Sequence, residues 1–377
     1  MPPPGVPATG RSGFLGRAPL WGALALAAGT GAGLVALVFV ALGLRDRLAG
    51  DDAEPTADEV AVTPTLSSPR LDGDEGTAVG DTQTALGLAA ERLAPAVVRV
   101  EGGTTGSGFV MRADGMVMTS AGLVERQSQA GRVRVLLGDG RNVTGAVVGS
   151  DPLTDVAVLD LPGDGYDTVV FADDISVDRG TMAAILSAVD EPSDSTPKMA
   201  AGALASSRWS LEREDLPPMN GLMQLATGTD PEARGGPVVD EQGQVLGLTT
   251  WSADDWSYAT PIDVASKVAN DLMATGSPKH CWLGIEGRSA KDSIDESDAA
   301  TAGVVVTDVS ADGPASAILT PDDVVVAIDG DPVPDLPSLI TALLLRSPGD
   351  QVDVTYHHGT GSSLETVPIT LDAHPRH

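Results

Sequence analysis

Between Val97 and Pro261 the chain repeats one texture: short runs rich in Val, Ala, Leu and Met, broken by Gly, Asp-Gly and Asn. The runs "SGFVM", "MVMTS", "RVRVLL", "AVVGS", "DVAVLDL", "TMAAILS", "MAAGALA", "LMQLA", "GPVVD", "QVLGLTT" and "SYATP" follow one another at strand length. Runs this short do not make ordinary helices, and turn residues at this spacing are what hairpins require. Aromatic residues are only 3% of the chain, against 44 Gly and 27 Pro. The core must therefore be aliphatic and spread over many strands, which excludes a long helical bundle and predicts a β-barrel or sandwich. A short amphipathic helix in "ALGLAAERLAPAVVRVEG" should lead in and stop before Pro95. A second should close the region over Val264 to Ala274.

After the break "TGSPKH", a smaller mixed domain is expected from about Trp282. Its strand signals are "WLGI", "GVVVTDV", "DDVVVAIDG", "QVDVTYH" and "ETVPITL", with a helix in "LPSLITALLL".

Upstream, residues 20–44 carry no charge and are long enough to cross a bilayer core as a helix. Arg11 and Arg17 precede the run, which places residues 1–19 in the cytoplasm and the bulk of the chain outside. A cleaved signal peptide, with Ala41-Leu42-Gly43 at the cleavage site, is the competing reading; the length of the run favours an uncleaved anchor. Residues 45–82 are rich in Asp, Glu, Pro, Thr and Ser, a composition that buries too little apolar surface to fold, and read as a disordered acidic linker.

A net charge of −30 excludes nucleic acid as a partner, because phosphate backbones are held by clustered Lys and Arg. The single cysteine, Cys281, excludes an intramolecular disulfide and reads as a small buried apolar residue. His357 and His358 are neighbours on a strand and so face opposite ways, which argues against a shared metal. Neither metal nor cofactor is expected.

The order of five stretches resembles the HtrA family, membrane-tethered or secreted trypsin-like serine proteases followed by a PDZ domain. They are "AERLAPAVVRV", "GTTGSGFVMRADGMVMTSAGLV", "LGDGRNVTGAVVGSDPLTDVAVLDL", "DPEARGGPVVDEQGQVLGL" and "AIDGDPVPDLPSLITALL". The resemblance implies a mostly β fold: a chymotrypsin-like double β-barrel over residues 83–277, a PDZ domain over 281–372 and a tail, 373–377, behind the N-terminal transmembrane helix. It also implies a serine nucleophile, a histidine base and an orienting aspartate in the cleft between barrels. Asp155 matches the aspartate. Gly122 stands at the histidine and Arg234 at the serine, and Glu232 and Ala233 replace the residues that open the oxyanion loop.

Glycine offers no base, and a guanidinium offers only donors. The five histidines, at 280, 357, 358, 374 and 377, all lie beyond the barrel region. The expectation is a catalytically inactive member that acts as a peptide- or protein-binding scaffold in the cell envelope. The alternative is an active serine-type endopeptidase or hydrolase with non-standard residues. Two placements follow for Arg234: filling the gap left at position 122 by pairing with Asp155 or Glu232, or lying solvated. For the PDZ domain the resemblance implies capture of C-terminal peptides or envelope proteins by the loop Trp282, Leu283, Gly284 and Ile285, with the helix from Leu336 to Leu345 as the other wall. A homo-oligomer or larger envelope complex is part of the same expectation.

Overall fold

In the computed structural model of the chain, the described residues are 75–124, 131–173, 178–188, 196–213, 216–290, 302–359, 361 and 363–375. The expected anchor at 20–44 lies outside them, as does most of the acidic segment. Among the described residues no helix is long and apolar enough to cross a membrane. The described elements fall within one compact unit, Leu71–His377.

Helix α1 (Glu75–Leu93) begins ahead of the expected start and takes in residues 75–82, which composition assigned to the linker. Further along, Leu86, Ala89, Ala90 and Leu93 form the buried stripe that docks it. Pro95, in a 3-10 turn at Ala94–Ala96, ends it as expected.

Strands β1 (Val97–Glu101), β2 (Thr105–Val110), β3 (Met116–Ser120), β4 (Arg132–Leu136), β5 (Asn142–Asp151) and β6 (Val156–Asp160) close a barrel in the order β1-β2-β3-β6-β5-β4. Val98, Val100, Val117, Val135 and Leu159 fill it. One helical turn, α2 (Ala121–Val124), follows β3 and carries Gly122. The second sheet contains β7 (Val170–Phe171), β8 (Met182–Ser187), β9 (Lys198–Arg213), β10 (Leu216–Leu225), β11 (Pro237–Val239), β12 (Gln244–Ala253) and β13 (Trp256–Pro261). Its order is β11-β8-β9-β10-β13-β12-β7, and the further pairing of β11 with β12 closes it into a ring. This is the expected double barrel.

Between the barrels Phe109, Met118, Val158, Leu186, Val239 and Leu248 share a core with α1 and with α3 (Ile262–Thr275). Helix α3 buries Ile262, Val264, Val268 and Leu272, each stabilising by about 1.5–3 kcal/mol. It stops at Gly276, whose left-handed φ of 74° lets its amide reach the Leu272 carbonyl.

The remaining strands are β14 (Cys281–Trp282), β15 (Ile285–Ser289), β16 (Val304–Val309), β17 (Asp323–Ile328), β18 (Asp331–Pro332), β19 (Gln351–His358), β20 (Glu365–Thr370) and β21 (Asp372–Ala373). A sheet runs β15-β16-β17-β19-β20, and β14 pairs with β21. Helix α4 (Leu336–Leu344) is capped by Asp335, which accepts from the Ser338 amide at 3.1 Å and from its hydroxyl at 2.6 Å. The stretch "WLGI" is strand only at its two ends, Trp282 in β14 and Ile285 in β15. Leu283-Gly284 forms a loop, with Gly284 at φ 85° against Gly313, and the strand proper is β15.

The candidate cleft and a second groove

Asp155 ends the loop between β5 and β6 at a φ of 56°, a left-handed conformation that Asp tolerates. Its carbonyl accepts from the Ala121 amide at 3.0 Å, which fixes the carboxylate under α2. The residue is buried, and each carboxylate oxygen is met from within: Oδ2 by the Ser120 hydroxyl at 2.7 Å, Oδ1 by the Gly122 amide at 3.0 Å.

Arg234 supplies the charge. Its Nη2 donates to Oδ1 at 2.7 Å and its Nε to Oδ2 at 3.3 Å, a two-pronged approach that matches a guanidinium to a carboxylate. The same guanidinium fills the space above Gly122. A Cβ there would collide with Nη2, and would lie 2.6 Å from Cζ and 2.7 Å from Nη1. Gly122, Asp155 and Arg234 are thus brought together. Glu232 is not with them: its carboxylate turns outward, 3.5 Å from Arg99 Nη2 and 3.5 Å from Lys198 Nζ. Of the two partners expected for it, Arg234 pairs with Asp155 and not with Glu232, two residues away in sequence.

The reason lies in the loop. Pro231–Ala233 form a 3-10 turn with Ala233 buried. The Ala233 amide donates to Asp230 O at 2.9 Å, the Arg234 amide to Pro231 O at 3.3 Å, and the Gly236 amide to Ala233 O at 2.8 Å. Gly235 donates to Thr249 O at 2.7 Å and sits at φ 84° with no room for a Cβ beside the Ser107 carbonyl. Ser107 ties the loop to the first barrel: its amide donates to Arg234 O at 2.8 Å and its hydroxyl to Glu232 O at 2.6 Å. These amides are committed within the protein. Ser120, which sequence reasoning missed, is the hydroxyl nearest the carboxylate, but it is fully buried and donates to Asp155. The cluster surrounds a buried carboxylate with donors and one cation.

The second site is a cavity of about 450 Å³ between β15 and α4. Trp282, Leu283 and Ile285 line one side and Leu336, Leu339, Ile340 and Leu343 the other. Leu153, Pro218 and Asn220, from the two barrels, also line it, as do His280 and His374. None of these five was expected. The β9–β10 hairpin, longer than its sequence signals suggested, brings Pro218 and Asn220 there, and Gly221 packs against Thr341 of α4.

His280 Nε2 lies 3.0 Å from Asp151 Oδ2, both side chains buried, so the start of the loop that ends in Asp155 is fastened to the start of the second domain. Burial alone would raise the Asp151 carboxyl. Hydrogen bonds from His280, Thr154 and the Leu153 amide outweigh it and hold the group below the usual carboxylate range. Cys281 is buried as expected; burial pushes its thiol up, and Sγ donates to the Leu343 carbonyl at 3.0 Å.

Residues 106–248 match the trypsin-like peptidase domain family and residues 282–371 the PDZ domain family. The "probable periplasmic serine endoprotease DegP-like" of Halomonas elongata is 32% identical over 259 residues, covering 66% of this chain and 52% of that protein. The protein of the same name from Chlamydia trachomatis is 30% identical over 285 residues, 72% of this chain and 54% of its own. The chain spans about half the length of these curated relatives. Among solved structures, the HtrA-type protease AlgW with tripeptide superposes with a TM-score of 0.58 at 24% identity, covering 76% of this chain and 96% of that one. The serine endoprotease from Yersinia pestis gives 0.53 at 21% identity, covering 76% and 97%. These likenesses bear on fold alone. Fold and domain order agree: residues 106–248 are a trypsin-like peptidase domain and residues 282–371 a PDZ domain, an arrangement similar to that of the HtrA-type proteases.

Proposed function

We propose that this HtrA-like chain does not hydrolyse peptides and works as a peptide-capturing scaffold or regulator in the cell envelope. The observation that carries the reading is the Arg234–Asp155 pair: the guanidinium takes the volume a side chain at position 122 would need, and it binds the carboxylate that would orient a base. The residue at the nucleophile position of the resemblance is thereby a permanent cation, and its amide is spent on Pro231. Residues 20–44 act as the membrane anchor and the folded part lies on the extracytoplasmic side, in keeping with relatives whose names place them in the periplasm. The PDZ groove then captures carboxyl-terminal segments of envelope proteins.

The test is direct. The purified full-length chain is incubated with unfolded casein and, separately, with a fluorophosphonate probe. Neither cleavage nor labelling is expected. Activity that co-purifies with the chain would overturn the reading in favour of a hydrolase with non-standard residues, the activity that the relatives' names carry.

A further inference from the structure

The groove beside β15 has a charged rim that its apolar floor does not explain. In the register of β15 on β16, Glu286 stands directly opposite Asp308. Cross-strand partners share a face of the sheet, and two like charges opposite one another are unfavourable. Among the described residues, neither carboxylate has an ion-pair partner. Glu286 is exposed and lines the groove; Ile285 and Gly287, its neighbours of opposite parity, are half-buried.

An unpaired acidic pair is disfavoured in the empty groove and relieved when a cation arrives. Resting on the reading of this groove as a carboxyl-terminal peptide site, we propose that it selects segments with a basic residue at the second or fourth position from the carboxyl end, behind an apolar last residue. The positions follow from strand addition. A peptide laid along the free edge of β15 alternates its side chains. The last side chain drops among Leu283, Ile285 and Leu339, so the second and fourth turn to the face that carries Glu286 and Asp308. Arg288, two residues along the same face, lies farther from the loop and limits the preference to the end near Glu286.

The experiment measures binding of the full-length chain in detergent to fluorescent heptapeptides ending in a free-carboxylate valine. Lys, Ala or Glu is placed at the second, third or fourth position from the end, and a C-terminally amidated peptide serves as control. Lys at the second or fourth position is expected to bind about fivefold more tightly than Glu at low ionic strength, with the gap closing as salt screens it. Lys at the third position should gain nothing, and Glu286→Gln and Asp308→Asn should abolish the preference without abolishing binding. Equal affinity for all free-carboxylate peptides would overturn the charge selection and leave the groove's role standing. An advantage for Lys at every position alike would also overturn it, reducing the effect to the net charge of the chain. Failure of every peptide, or equal binding of the amidated one, would overturn the peptide-groove reading and this selection with it.

Discussion

Nη2 of Arg234 lies 2.7 Å from Oδ1 of Asp155, and the guanidinium that carries it occupies the space directly over the Cα of Gly122. Three residues distant in sequence therefore depend on one another. The carboxylate needs a cation because it is buried, the cation needs a partner because three-quarters of its side chain is covered, and the glycine is needed because nothing larger fits. Removing any one should be felt through the other two.

Arg234→Ala leaves the Asp155 carboxylate with the Ser120 hydroxyl and the Gly122 amide as its donors. Breaking one side of a fully buried pair costs about 3–5 kcal/mol; the two remaining hydrogen bonds and the partial exposure of Arg234 bring the expectation down to about 1–3 kcal/mol. Urea unfolding of the purified chain would measure it. Unchanged midpoints for both Arg234→Ala and Asp155→Ala would show that the cleft does not rely on this pair.

Gly122→Ala tests the steric half. Its methyl would meet the guanidinium, so the variant should lose about 1–3 kcal/mol as Arg234 is pushed off Asp155. In the Arg234→Ala background the obstacle is gone and the same substitution should cost little. The expected coupling in the double-mutant cycle is about 0.5–3 kcal/mol. Additive losses would place the strain elsewhere in α2.

How far the sequence disclosed this is best seen residue by residue. The strands of the first barrel were legible because Val98, Val100, Val133 and Val135 alternate with outward positions, the period-2 signature of a half-buried strand. The choice of Asp155 over Glu232 was not legible. Glu232 is two residues from Arg234, and only the 3-10 turn, which sequence does not announce, swings it out to Arg99 and Lys198. Strand β15 was hidden because Glu286, Gly287 and Arg288 give it no apolar pattern; its order comes from pairing with β16. The β9–β10 hairpin was hidden by Pro217 and Pro218, which argue against strand. Yet Trp209, Leu211, Met219 and Leu222 offered a signal, since Leu211, Met219 and Leu222 form an outer apolar cluster with Tyr258 and Trp209 packs 6.4 Å from the Tyr258 ring.

Asp151 predicts an acid limit on the junction between the domains. Its carboxyl is held below the ordinary value of 3.8, so its contribution to stability is fully present above that value and is lost as pH falls through the depressed folded value. Thermal unfolding of the wild type and of Asp151→Asn is compared from about pH 2 to pH 6. The gap between them should be constant at the upper end and shrink below the ordinary carboxyl range. A gap independent of pH would mean that the Asp151–His280 contact holds by shape and not by charge.

Gly221 tests whether the hairpin really braces the groove. It sits at φ 71°, and a Cβ there would run into the Thr341 hydroxyl on α4, the helix that forms one wall of the groove. Two costs are therefore superposed in Gly221→Ala: about 1–2 kcal/mol for placing a side chain in the left-handed region, and the displacement of α4 or the hairpin. Thr341→Ala removes the hydroxyl and relieves the second cost alone. Gly221→Ala should thus weaken both the fold and the binding of a carboxyl-terminal peptide. Adding Thr341→Ala should restore the peptide affinity while a stability deficit of about 1–2 kcal/mol persists. If peptide affinity is the same in all three variants, α4 holds its position without the hairpin, and the barrel does not shape the groove through this contact.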